Sequence, residues 1–131
     1  MSATSEQILE TARLCQSENN ESGFRSAISR AYYSMLHESI GSLTALPNFT
    51  HEHHKNTVGY MLNPAECKSE PYPTNTLKSL AYVLKQCRDA RNEADYDLVN
   101  VTISQKLGQD AIETAELYFE KWKQLKSAKA S

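Results

Sequence analysis

One segment of the chain concentrates groups that can bind an anion and move a proton. It contains Arg88, Arg91, Asn92, Asp95 and Tyr96. Guanidinium groups can hold phosphate bidentately, and an amide or a phenol can donate further hydrogen bonds to the same oxygens. The segment therefore predicts a site that can hold a phosphate group.

Helical spacing places these arginines toward the interior or toward an interface. At about 100° per residue, one side of the helix carries Leu77, Ala81, Leu84, Arg88, Arg91 and Asp95. Charge on such an apolar stripe must be paired or must hold an anion. The structural alternative is an ion pair between Arg91 and Asp95, four residues apart at a helix end, with Arg88 extending beside them toward solvent.

A second polar patch lies on the longest predicted helix, at residues 23–45. Arg30, Tyr33 and His37 follow i, i+3 and i+7 on the face opposite the apolar stripe. A solvated face is the commoner explanation for such residues. If this patch meets the Arg91 segment, within the bundle or across a dimer, the two motifs form one site.

Five helices are predicted to position these groups. Only four glycines and four prolines are present, and all the prolines lie in the middle third, so long stretches lack a helix breaker. Apolar spacing predicts helices at about residues 5–17, 23–45, 50–62, 75–91 and 101–127. Thr74 is the expected N-cap of the fourth helix, and residues 63–73 and 95–97 are expected to form a loop and a frayed end or turn. Short links between such helices predict an all-α, antiparallel four- to five-helix bundle.

Length and composition indicate one domain, residues 1–131, with a flexible tail from about residue 128. The net charge of −2 creates no general attraction for nucleic acid, so phosphate binding must come from a local cluster. Neither a membrane span nor a signal peptide is predicted, which favours a cytoplasmic location without membrane contact. The three cysteines are widely scattered and lack a CxxC pair, so we expect reduced packing residues.

No metal site and no cofactor are predicted. His51 and His54 could face one ion if their segment is helical, but an HExxH order, a CxxC partner and a carboxylate beyond Glu52 are missing. A polar helix start with solvated histidines explains this cluster better. A glycine-rich phosphate loop and a Gly-x-Ser-x-Gly elbow are also missing, which removes most kinase, hydrolase and dehydrogenase functions.

Two segments of the chain resemble the motifs of HEPN domains. Residues 25–37, RSAISRAYYSMLH, resemble the second-helix signature of that family, and residues 91–97, RNEADYD, resemble its fourth-helix motif. The resemblance extends over nearly the whole chain. It implies a small, homodimeric helical bundle of a prokaryotic toxin–antitoxin or phage-defence system, often encoded beside a minimal nucleotidyltransferase.

The resemblance also implies metal-independent endoribonuclease chemistry. In such HEPN proteins the working motif is an arginine followed by a polar residue and, shortly afterwards, by a histidine. Arg91 and Asn92 match the first two positions, and Tyr96 stands where the histidine is expected. An imidazole with a pKa near about 6.5 exchanges a proton at neutral pH, whereas a phenol near about 10 mostly does not. The implied catalytic set is Arg91, Asn92 and Tyr96, with His37 as another source of an imidazole.

Three functions follow from these observations. The first is an RNA-cleaving enzyme, and the second is a silent module that binds RNA or nucleotide through Arg88 and Arg91. The third is a non-catalytic dimeric subunit that docks on a nucleotidyltransferase or a defence effector. An RNA-directed site of the endoribonuclease type with an altered motif ranks first, because the arginine and the asparagine are retained while the histidine is not.

Overall fold

The computed structural model describes residues 4–130, with side chains through residue 128, and these residues form six helices and no strand. The helices are α1 (Ser5–Ser17), α2 (Glu21–Ser42), α3 (His53–Leu62), α4 (Pro64–Cys67), α5 (Thr74–Tyr96) and α6 (Gln105–Ala130). The predicted all-α bundle is thereby confirmed. None of the described helices is both long and apolar enough to cross a membrane.

α2 is the central helix and contacts α1, α3, α5 and α6. Its buried positions include four members of the predicted apolar stripe, Ile28, Tyr32, Met35 and Leu36. α2 begins at Glu21 because the Asn20 side chain accepts a hydrogen bond from the backbone N–H of Gly23 at 2.8 Å. α6 packs on it through the fully buried Trp122, whose Nε1 donates a hydrogen bond to Ser39 Oγ at 3.3 Å.

The fourth predicted helix is longer in the structure than its apolar pattern indicates. α5 begins at Thr74, so Thr74 is not the N-cap; Pro73 occupies that position without a side-chain cap. The helix continues past the predicted end at residue 91 to Tyr96, which makes residues 95 and 96 part of it. Its last turn persists because Arg25 of α2 donates hydrogen bonds to the carbonyl oxygens of Ala94 and Asp97, at 2.9 and 3.0 Å.

A buried carboxylate, Glu70, organises the connection after α2. It accepts hydrogen bonds from the backbone N–H and hydroxyl of Thr44, both at 2.8 Å, from the Ala45 N–H at 2.9 Å and from the Tyr60 hydroxyl at 2.7 Å. Burial raises the pKa of Glu70, but the hydrogen bonds outweigh it and the net pKa is lowered. Because the amides after Ser42 bond to this carboxylate, α2 ends there and not at the predicted residue 45.

The remaining helix boundaries differ from the predicted ones by about one turn or less, except in the predicted loop. α3 begins at His53, and α6 runs from Gln105 through Ala130, so the predicted tail starts inside a helix while residue 131 lies outside the described residues. The segment expected to be loop, residues 63–73, contains the short α4. Pro64 occupies its first turn, where a missing N–H costs nothing. All three cysteines are free.

Candidate functional site

Arg91 is the centre of the candidate site. It is a buried arginine, 6% exposed. Its guanidinium carbon lies 5.4 Å from the ring centre of Tyr33, 5.6 Å from that of Tyr32 and 6.0 Å from that of Tyr96. Each ring can attract the cation by about 0.5–1 kcal/mol or more. α2 therefore supplies two of the aromatic walls around an arginine of α5, and α5 supplies the third.

The structural alternative, an ion pair between Arg91 and Asp95, is present but long. Arg91 Nη1 lies 3.5 Å from Asp95 Oδ2, and this oxygen also accepts a hydrogen bond from Ser29 Oγ of α2 at 3.3 Å. Asp95 thus links the two helices. An arginine has five N–H donors, and Arg91 Nε is closed to solvent with no hydrogen-bond partner in the described part of the chain.

Arg25 provides a contrast within the same molecule. It is 7% exposed, yet its Nε and Nη2 both donate to Glu21 Oε2, at 3.0 and 2.8 Å. Its other donors reach backbone carbonyl oxygens at the end of α5 and at Val101. The fold satisfies Arg25, whereas it leaves the enclosed Nε of Arg91 without an acceptor. Sequence reasoning did not identify Arg25 as a structural residue, because its acceptors are distant backbone groups.

Arg88 and Tyr32 add further unused hydrogen-bonding groups. Arg88 is half-buried, and its Nε is also closed to solvent without a partner among residues 4–128. The Tyr32 hydroxyl is buried and equally unpartnered within that range. Burial raises the pKa of Tyr32 to about 12, against an opposing effect of Arg88 and Arg91. The phenol therefore keeps its proton and remains a donor.

His54 is a site residue that sequence reasoning missed. It lies half-buried in the first turn of α3, the helix that packs against α5. Burial lowers the pKa of His54, and the nearby positive charges of Arg88 and Arg91 lower it further. Residues 54 and 88 belong to different helices that pack together only in the tertiary fold, so spacing along the chain contains no signal that relates them.

The second-helix patch joins the site through Tyr33 alone. Arg30 and His37 are exposed, and neither forms a hydrogen bond or ion pair with Arg91 in the part of the chain that the structure describes. Asn92 is half-buried and makes no side-chain hydrogen bond within the same residues.

An exposed apolar surface follows the site along the chain. It consists of Tyr96, Leu98 and Val99, which are 75%, 71% and 92% exposed. We call these three residues the turn surface, because they lie at the end of α5 and in the turn after it. Contiguous apolar exposure is typical of a surface that another molecule covers.

The assembled groups can hold an anion and exchange a proton. The guanidiniums of Arg88 and Arg91 can donate hydrogen bonds to an anion, and a neutral imidazole of His54 could accept a proton. Within the described residues, no group of three or more His, Cys, Asp or Glu side chains is placed to hold a metal ion. The chain matches no protein-family model, no curated protein and no solved structure.

Proposed function

We propose that the chain is a HEPN-like protein that binds RNA by holding a phosphate group at Arg91, with an endoribonuclease-type motif in which tyrosine replaces histidine. We place it, as a cytoplasmic homodimer, in a prokaryotic toxin–antitoxin or phage-defence system. The observation that carries the proposal is the buried Arg91 guanidinium, whose hydrogen-bonding capacity the fold leaves largely unused.

The two segments that resemble HEPN motifs meet at this point. Tyr32 and Tyr33 belong to the segment at residues 25–37, and Arg91 and Tyr96 belong to the segment at residues 91–97. Contact between them supports a shared site, as the resemblance implies.

Incomplete pairing of the Arg91 guanidinium supports a ligand at this site. An unsatisfied buried donor costs about 1–3 kcal/mol, and a single ion-pair contact at 3.5 Å offsets little of this cost for a cation with several donors. A phosphate group presents two oxygens in the spacing that a guanidinium matches. The exposed ring of Tyr96 beside the arginine is available to stack an unpaired base, the mode by which single-stranded RNA is commonly bound.

The turn surface favours a second function, that of an interaction subunit. Tyr96, Leu98 and Val99 expose apolar area next to the site, which suits a docking partner such as a nucleotidyltransferase or a defence effector. In that case the arginines are structural and RNA binding is absent.

Equilibrium binding of a fluorescently labelled single-stranded RNA separates the two functions. We expect salt-sensitive binding that Arg91→Gln weakens about tenfold or more, because a charged contact to phosphate is lost. Arg13→Gln is the matched control: Arg13 pairs with Glu10 and Glu116 on the surface, so this change should leave affinity close to that of the wild type. Equal affinities for wild type and a folded Arg91→Gln variant would contradict the proposal.

A further inference from the structure

A cavity lies between α5 and α6, with α2 as its floor. Both helices pack against α2, but they make few contacts with each other. The cavity has a volume of about 330 Å³, and small-molecule sites range from about 300 to about 1,000 Å³. Each of the three helices contributes an alanine to the lining, Ala31, Ala90 and Ala111. Because these side chains are short, the helices surround the space without filling it.

The lining of the cavity is mostly apolar. Its floor includes Ile28, Tyr32 and Met35 of α2, which are all buried, and its walls include Val83 of α5 and Leu107 of α6. Leu107 is 46% exposed, so part of this apolar surface faces water until another molecule covers it. A ligand with an apolar body therefore gains free energy when it leaves water for this cavity.

The charged residues that line the cavity are both acidic. They are Glu93 and Asp110, one on each flanking helix. Glu93 is exposed and forms no side-chain ion pair within the described residues. Asp110 pairs with Lys106 at 3.0 Å, but the Lys106 side chain is 82% exposed and lies outside the lining. An exposed pair of this kind contributes little, so a cationic ligand can replace Lys106.

This charge distribution selects among possible ligands. No Lys, Arg or His side chain is among the described residues that line the cavity, so a phosphate group or a nucleotide finds no cationic partner there. Two carboxylates on the walls attract a cation and repel an anion. The chemistry of the lining is therefore complementary to a molecule that is apolar over most of its surface and positively charged at one end.

We propose that this cavity binds an organic cation with an apolar body, of the chemical class of protonated alkylamines. The apolar part lies against α2, and the positive end lies toward Glu93 and Asp110. The cavity is distinct from the phosphate site. Tyr32 is common to both, whereas Arg88 and Arg91 do not line the cavity. Binding of the cation does not depend on RNA at Arg91.

The first test compares three probes that share one alkyl chain, namely hexylamine, hexanol and hexanoate. At neutral pH they are a cation, a neutral molecule and an anion. Each is titrated into the wild type while methyl NMR signals are recorded for Met35 and Leu107 in the cavity and for Leu14 and Leu117 on exposed surface elsewhere. We expect saturable shifts at Met35 and Leu107 only. Hexylamine should bind about tenfold more tightly than hexanoate, with hexanol in between.

A double variant tests the role of the two carboxylates. Glu93→Gln with Asp110→Asn should reduce the preference for hexylamine over hexanoate to less than about threefold, because the charge of the lining is removed while its shape is kept. The matched control is Asp89→Asn with Glu113→Gln, which neutralises exposed carboxylates of the same two helices outside the lining. It should keep the preference of the wild type.

A second variant tests the cavity itself. Ala90→Leu should weaken the binding of all three probes about tenfold, since a leucine that fills part of the space prevents burial of about two methylene groups of the probe. Ala90 is exposed and leucine is a good helix former, so the fold should tolerate the change. Ala65→Leu, at an exposed position of α4, is the control.

Four results would overturn the proposal. They are a wild type that binds none of the probes, hexanoate that binds as tightly as hexylamine, a preference that survives Glu93→Gln with Asp110→Asn, and full affinity in Ala90→Leu. If the cavity signals shift with protein concentration when no probe is present, a second copy of the chain covers the cavity, and the proposal fails as well. None of these results bears on RNA binding at Arg91.

Discussion

Arg25 and Arg91 are buried to nearly the same extent, 7% and 6% exposed, but their surroundings differ. Sequence spacing predicted that Arg91 points inward or toward an interface, and it offered pairing with Asp95 as the structural alternative to anion binding. Both inferences follow from residue positions on one helix. The sequence analysis left open that the patch with Tyr33 meets Arg91, and the ring of Tyr33 does lie there. It did not predict the ring of Tyr32, which belongs to the same helix. Tyr32 was assigned to the apolar stripe of the second helix, and it is buried there, but its hydroxyl faces no partner among the described residues.

The geometry of the guanidinium, and not only its charge, should determine binding at Arg91. Arg91→Lys keeps the positive charge but loses the planar fork and its stacking on the three tyrosine rings. We expect RNA affinity to fall about tenfold, since one charge-assisted hydrogen bond contributes about 1.5–3 kcal/mol. Fluorescence anisotropy at fixed salt measures the change. Lys106→Arg, at an exposed position of α6, is the control. Retention of full affinity by Arg91→Lys would show that charge alone suffices.

His54 should make the stability of the fold depend on pH in a defined window. Its pKa is lower in the folded chain than the value of about 6.5 expected when unfolded. The unfolded chain therefore binds more protons as the pH falls through 6.5, and stability decreases until the pH is below the folded pKa. Urea unfolding midpoints between about pH 7 and about pH 5 should fall less steeply for His54→Gln than for the wild type. Parallel slopes for the two proteins would refute the environment assigned to His54.

At the scale of the helices, the sequence was sufficient to predict that five helices exist and which face of each points inward. It was not sufficient to predict where several of them end. Apolar periodicity located five helices, since burial of one face is the main determinant of that pattern. The C-terminal end of α5 depends on Arg25, nearly seventy residues away in sequence, and the end of α2 depends on Glu70. α4 consists of a single turn that begins at Pro64, too short for any periodic signal.

Removal of the side chain that caps α5 should destabilise the whole bundle. Arg25→Met leaves the carbonyl oxygens of Ala94 and Asp97 without their donor and leaves Glu21 without its ion pair. We expect the free energy of unfolding to fall by about 3 kcal/mol. Urea denaturation measures the loss, and amide exchange should show the last turn of α5 opening first. Arg13→Met, which breaks exposed ion pairs, should cost less than about 1 kcal/mol. Equal losses in both variants would mean that Arg25 does not cap the helix.

At the scale of the whole molecule, the amino-acid composition limits the possible functions but does not identify one. A net charge of −2 predicts no general affinity for nucleic acid, so the proposed phosphate binding depends on one place, the surroundings of Arg88 and Arg91 between α2, α3 and α5. Which helices enclose that place could not be predicted, because the packing of α3 on α5 is a property of the complete fold. Assembly with a second chain remains a prediction. The turn surface suggests where on the molecule the interface would lie.

Charge placed on the turn surface should dissociate the predicted homodimer. Leu98→Glu with Val99→Glu introduces two carboxylates where both side chains are more than two-thirds exposed in a single chain, so the isolated fold should retain its melting temperature. Light scattering coupled to size exclusion should show a shift from dimer to monomer mass. The matched control changes exposed leucines elsewhere, Leu14→Glu with Leu117→Glu. A dimer that survives in the first variant, or dissociates only in the control, would contradict this position for the interface.

The most direct test of the central claim is an NMR titration of the arginine side-chain Nε–H signals with a short single-stranded RNA. The claim is that Arg88 and Arg91 hold its phosphate, while Arg25 is already saturated by Glu21. We predict saturable shifts of the Arg88 and Arg91 signals and a stationary Arg25 signal. Shifts limited to exposed residues such as Arg30, with Arg91 unchanged at saturating RNA, would contradict the account.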